Sequence, residues 1–154
     1  MVIDTERAEN ELYLSRLILK MSEKQELQKI IIETQNPKTF YSAVISHSYY
    51  SIFYMAKAYL SIKRIKIKPP NEHKKTFLLF KKFADRGILD NELLRIYEDI
   101  LIKADELLGI FKHEKDKRAN FTYQRLAQAN LEPAKESISN SEVFYKHLYN
   151  LCEE

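Results

Sequence analysis

Apolar residues along this chain recur at steps of three and four, the period that stacks side chains on one face of an α-helix. The clearest run is Ile45, Tyr49, Ile52, Phe53, Ala56 and Leu60. It predicts a helix from about Lys38 to Lys63 with one buried stripe, while His47, Tyr50, Tyr54 and Lys57 fall on a different face. Leu93, Tyr97, Ile100, Ala104, Leu107 and Phe111 predict a second long helix. Asp90 caps its first turn, and Gly109 sits inside it at a cost of up to ~1 kcal/mol relative to alanine. Phe77, Phe80 and Ala84 mark a short helix between the two, opened by Asn71 and followed by Gly87 as the left-handed residue past its end.

The ends of the chain read the same way. A first helix starts near Asp4 or Thr5 and runs toward Thr34, where Pro37 stops it. Ser22 with Gln25 has the form of a capping box, so this helix is either one kinked element or two. A last helix runs from about Asn130 to Cys152, with Pro133 tolerated in its first turn. Ile65-Lys-Ile-Lys68 alternates as a strand would, but Pro69-Pro70 follows at once, which makes it an extended connection. Four or five helices with short connections predict an all-α, up-and-down antiparallel bundle, one domain over residues 1–154 with its core from about 5 to 151.

Composition fits this reading. Two glycines and four prolines in 154 residues leave little punctuation for strands and turns. A single cysteine, Cys152, excludes an intrachain disulfide and fits a reducing cytosol. The charged N-terminus has no apolar signal segment, and no apolar run approaches the ~20 residues needed to span a bilayer. A cytoplasmic protein without membrane contact is expected.

Charge changes the picture more. The net charge of +3 is unevenly spread. Residues 57 to 86 hold ten Lys/Arg against Glu72 and Asp85, a balance of +8, whereas residues 87 to 116 hold eight acids and four bases, a balance of −4. A positive region attracts phosphate-rich ligands, although lysines also simply solvate helix faces. The acidic block can pair with the basic one, within the chain or across a dimer.

Candidate chemistry is narrow. His47, His73, His113 and His147 have no second histidine or cysteine at helical ligand spacing, so neither a metal site nor a metal cofactor is implied. The two glycines form no phosphate loop, and no serine lies in a nucleophile elbow. The segment Arg118-Ala-Asn-Phe-Thr-Tyr123 stands out. Arg118 offers a planar fork of donors able to hold a phosphate bidentately. Tyr123 offers a hydroxyl whose ordinary pKa near ~10 is too high for an efficient base at neutral pH. By spacing alone, an arginine salt-bridged to a neighbouring acid in an exposed connection is the better account of this segment. In the aromatic helix Tyr49 and Phe53 read as core, and His47 with Tyr50 as either a groove or a packed flank.

On these residues the chain resembles the HEPN family, most of all its small stand-alone prokaryotic branch. Ser46-His-Ser-Tyr-Tyr-Ser-Ile-Phe53 is similar to the branch's Arg-Ala-Tyr-Tyr-Ala-x-Phe segment, with His47 at the arginine position. His73 matches a histidine after the lysine-rich connection. Arg118 to Tyr123 matches a later Arg-x-x-x-Asp-Tyr segment, with Thr122 at the aspartate. The resemblance spans roughly residues 5 to 150. It implies a helical bundle that forms a homodimer, with two arginine motifs facing one cleft. It also implies a nucleotide- or RNA-binding role alongside a minimal nucleotidyltransferase, in a toxin–antitoxin setting. Active members are metal-independent endoribonucleases with an Arg-x(4–6)-His motif. Here Arg118 fills the arginine position and Tyr123 the histidine position at the shortest spacing, with Gln124 and Arg125 at the next two. The tyrosine that the partner enzyme modifies, two residues beyond the histidine, has no counterpart.

Three functions are therefore carried forward. The first is a phosphate-binding HEPN-type domain with Arg118 as anchor, Tyr123, Tyr50, His47 and His73 lining the cleft, and Lys63, Arg64, Lys66, Lys68, Lys74 and Lys75 supplying the field. The second is an endoribonuclease with Arg118 and a divergent acid/base, Tyr123, His47 or His113. The third is a non-catalytic interaction protein whose aromatic helix faces form a dimer or hetero-oligomer interface.

Overall fold

The computed structural model describes residues 2–110 and 131–154. Among them are six helices and no strand: α1 (Val2–Glu23), α2 (Gln25–Ile31), α3 (Tyr41–Ile62), α4 (Glu72–Asp85), α5 (Asn91–Leu108) and α6 (Leu131–Glu153). The all-α bundle expected from the periodicity is what the chain forms.

Helix α3 is its axis, packing against α1, α4, α5 and α6. Its predicted stripe, Ile45, Tyr49, Ile52, Phe53, Ala56 and Leu60, is buried throughout. The main core joins Tyr49, Ile52, Phe53, Ala56 and Leu60 of this stripe to Phe80 and Ala84 of α4, to Leu93, Ile96, Tyr97 and Ile100 of α5, and to Phe144 and Leu148 of α6. A smaller cluster of Val44, Ile45, Ala134 and Ile138 closes the other end. Small residues line the seams of α3 with α1 and α6, which lets the backbones approach. The Ser51 hydroxyl donates to Ala8 O at 2.8 Å, and the Ser141 hydroxyl to Ser48 O at 3.0 Å.

Helix ends show where local sequence rules hold and where they yield. Asp90 caps α5 as expected, its carboxylate accepting from Glu92 N–H at 2.9 Å. Gly87, at φ +76°, follows α4: its N–H bonds Ala84 O at 3.0 Å and the next N–H, of Ile88, bonds Phe83 O at 2.9 Å. This is the paired closure that left-handed glycine permits. Gly109 departs from expectation. It lies past the end of α5 at φ 62°, its N–H on Asp105 O at 2.8 Å, so it stops the helix instead of weakening its interior. Phe111, assigned to that helix, lies outside the described residues, as does Asn130. Asn71 occupies the cap position of α4 but is itself left-handed and makes no side-chain cap bond.

The first helix begins earlier than Asp4, at Val2, and the Thr5 hydroxyl donates back to Val2 O. It breaks at Lys24, yet no capping box forms there. The Ser22 hydroxyl instead accepts from Phe40 N–H at 2.8 Å. Buried Gln28 takes over the corner: its amide donates to Met21 O at 2.8 Å and Lys38 O at 2.6 Å, and its oxygen accepts from Lys38 N–H at 2.9 Å. Residues 38–40 are thereby committed outside a helix, and α3 starts at Tyr41, three residues later than its apolar pattern implied. Between α3 and α4, Ile65 and Ile67 pack on the core while Lys66 and Lys68 are exposed. That is the alternation of an extended connection, without a strand.

Candidate functional site

The less apolar face of α3 carries His47, Tyr50, Tyr54 and Lys57 at steps of three and four, and the start of α4 folds back over it. The His73 ring lies on Phe53, with centroids 4.0 Å apart and planes 20° apart, and is stacked at 5.7 Å on Tyr49. Tyr50 meets His73 edge-on at 6.1 Å and His47 at 6.2 Å, so its ring stands between the two imidazoles. Three sequence-selected residues, His47, Tyr50 and His73, thus share one surface, although 26 positions separate the first from the last in the chain.

Partners on other helices fix the two histidines. Glu11 of α1 places Oε2 at 2.5 Å from His47 Nδ1, and both side chains are about a quarter exposed. The Tyr49 hydroxyl is 2.8 Å from His73 Nδ1. Lys57 Nζ is 3.4 Å from Glu72 Oε2 and 5.5 Å from the centre of the Phe53 ring. Arg7 holds its guanidinium 5.5 Å over Tyr54. Lys57 thus already has a carboxylate partner, and Arg7 covers the outer tyrosine by cation–π attraction.

Burial shapes the protonation states. Desolvation lowers the pKa of His73, opposed by Glu72 and assisted by Lys57, which favours the neutral imidazole. Burial raises Tyr49 far above the ordinary phenol range, with smaller contributions from Tyr97, Tyr50 and Asp105. Burial also raises Tyr50, with help from Glu11 and Tyr54. All three groups are hydrogen-bonding or stacking surfaces near neutral pH, not fixed charges.

Beside His73 lies an open cavity of about 430 Å³, walled by Pro69, Pro70, Asn71, Glu72, Lys74 and Ile110. The Pro69–Pro70 peptide bond is cis. Lys74, Lys66 and Lys68 are exposed on or near this wall, and Lys75 Nζ donates to Lys68 O at 3.0 Å. Lys63 and Arg64 are exposed further away. They follow the end of α3, ten residues beyond Phe53, or about 15 Å along the helix axis, and Lys63 lies over Tyr59 instead. Of these basic residues, Lys74 is the one that lines the cavity. Ion pairs of the acidic block include Arg95–Glu92 and Lys103–Asp99 on α5, and Lys103–Glu136 to α6. The blocks meet in the α4–α5 groove, where Lys81, Glu98, Asp105 and Glu106 line one depression.

Arg118, Tyr123 and His113 lie outside the described residues. Among the described residues, no three His, Cys, Asp or Glu side chains gather in a set able to hold a metal ion. No helix there is long and apolar enough to cross a membrane. Sequence reasoning missed Glu11 and the Lys57–Glu72 pair. It also assigned Tyr49 to the core without its polar role. None has a local signature: Glu11 and His47 are 36 residues apart, Tyr49 and His73 are 24 apart.

Fold and surface together define a helical bundle with a histidine- and tyrosine-lined face beside a basic connection. No protein-family model, curated protein or solved structure matches the chain.

Proposed function

We propose that this chain is a HEPN-type domain that binds the phosphate of a nucleotide or RNA and acts with a nucleotidyltransferase partner. The setting is of toxin–antitoxin type, with a degenerate Arg-x4-His motif. The observation that carries the reading is the convergence of His47, Tyr50 and His73 on one face of α3, beside a cavity whose wall includes Lys74. Aromatic rings next to solvated cations suit a nucleotide, which offers a flat base and an anionic phosphate. Arg118 is the phosphate anchor in this reading, and Tyr123 a hydrogen-bonding neighbour. Self-association has a surface available on α1 and α6, where Tyr13, Leu17, Val143 and Tyr149 are exposed.

Fluorescence anisotropy with a labelled oligoribonucleotide tests the reading. Affinity should fall as salt rises, and Arg118→Ala should weaken it further. Equal affinity of Arg118→Ala and wild type removes the anchor.

The Glu11–His47 contact favours one second reading, a metal-independent endoribonuclease with a divergent base. A carboxylate on Nδ1 orients an imidazole and leaves Nε2 to exchange a proton. RNA cleavage that persists in chelator and disappears in His47→Gln supports it, and intact RNA across pH 5 to 9 rejects it.

A further inference from the structure

We infer that buried Tyr49 positions His73 as its Nε2–H tautomer, so that the imidazole offers a fixed, uncharged donor to a phosphate-ester oxygen in the cavity beside Pro69 and Pro70. The inference rests on the phosphate-binding reading for its ligand, but not for its tautomer.

The tautomer follows from hydrogen-bond accounting. The Tyr49 side chain is buried, and its hydroxyl has one hydrogen-bond partner among the described residues, His73 Nδ1 at 2.8 Å. Were Nδ1 the protonated nitrogen, it would donate to the phenol oxygen. The phenol hydrogen would then be buried without an acceptor, which costs more than an average hydrogen bond returns. With the phenol donating, its hydrogen is satisfied and the imidazole proton must sit on Nε2. Burial reinforces this, because it favours the neutral ring and keeps the phenol protonated.

Orientation follows from the same contacts. His73 reaches from core to cavity: it lines the cavity, whereas Tyr49 and Phe53, on which the ring lies, do not. Nδ1 is taken by the core hydroxyl, and Nε2 is the ring nitrogen left for a ligand. A ring held against Phe53 and tied by Nδ1 has little freedom to turn. The donor is therefore in place before a ligand arrives, which lowers the entropy lost on binding. Lys57 is engaged with Glu72, so the charge that attracts the phosphate falls to exposed neighbours such as Lys74.

The test is long-range ¹H–¹⁵N NMR of histidine-labelled protein at pH 7.5, with His73→Gln to assign the signal. His73 should show a protonated Nε2 and a bare Nδ1, and Tyr49→Phe should convert it to a mixture of tautomers. Titrations with inorganic phosphate, AMP and a short oligoribonucleotide complete it, separating a free anion, a nucleotide and a strand. Tyr49→Phe and His73→Gln should each weaken binding about 5-fold, the worth of one ordinary hydrogen bond. A protonated Nδ1 in the wild type overturns the positioning role. So does wild-type affinity in a Tyr49→Phe variant that has lost the single tautomer. The expected tautomer in a protein that binds none of the three probes overturns the ligand assignment, and the phosphate reading with it.

Discussion

Tyr97 and Tyr49 are both buried phenols, and the same substitution should act on them with opposite sign. Tyr97 is wholly buried among Phe77, Phe80 and Phe144, and its hydroxyl has no hydrogen-bond partner among the described residues. An unsatisfied buried polar group costs about 1–3 kcal/mol. Tyr97→Phe removes that cost and keeps every ring contact, while the gap left by one oxygen returns only a few tenths of a kcal/mol. The net expectation is a gain of about 1 kcal/mol. With a urea slope of about 2 kcal/mol per molar, the unfolding midpoint should rise by about 0.5 M, and Tm by about 2–4 °C. Tyr49→Phe removes a made bond, 2.8 Å long, and should cost about 1 kcal/mol. Urea denaturation followed by circular dichroism measures both. A Tyr97→Phe midpoint lowered by about 0.5 M would mean that the hydroxyl does have a partner and refute the reasoning.

Three more outcomes follow from particular contacts. Gln28→Ala breaks three hydrogen bonds at the α2–α3 corner, and should cost about 2 kcal/mol because they lie only partly out of water, a fall of about 4–8 °C in a thermal melt. Gly87→Ala meets no atom within 4 Å but keeps φ at +76°, so its cost is backbone strain alone, about 1 kcal/mol, read from the urea midpoint. For His73 the folded pKa is lowered by burial, so the unfolded chain takes up the proton first as pH falls. Its contribution is intact above the ordinary imidazole pKa of about 6.5, is lost as pH drops below that value, and levels off beneath the folded pKa. His73→Gln should flatten the stability profile in that window, seen as a smaller change in urea midpoint between pH 7.5 and 5.5.

The helices of this protein are written in its sequence because their signal is local and repeated. Six positions of α3 recur at helical steps, and all six are buried. Asp90 and Gly87 terminate elements as their chemistry requires, since a cap involves residues only a few positions apart. Gly109 shows the limit. Whether a glycine weakens a helix or ends it depends on where packing stops, and α5 stops at Leu108. The corner between α2 and α3 shows it again. Ser22 and Gln25 have the form of a capping box, yet Ser22 bonds Phe40 and Gln28 clamps Lys38. A hydrogen bond to a distant backbone leaves no mark in the nearby pattern.

The candidate site divides in the same way. By itself the sequence determined the bundle, the central aromatic helix, the uneven charge, and His47 and Tyr50 as residues to watch, because periodicity and composition are properties of neighbours; His73 stands out only through the family resemblance. Only the tertiary structure decided that the three share one surface, that Glu11 holds His47 and that Tyr49 serves His73. It also placed Lys74 on the cavity wall, which Lys63, Arg64, Lys66 and Lys68 do not line. Those pairings join helices far apart in the chain, and they come about when α1 and α4 bury their apolar faces against α3. Burial is non-directional and sets which helices meet; the polar partners that must then be satisfied set what each side chain can do.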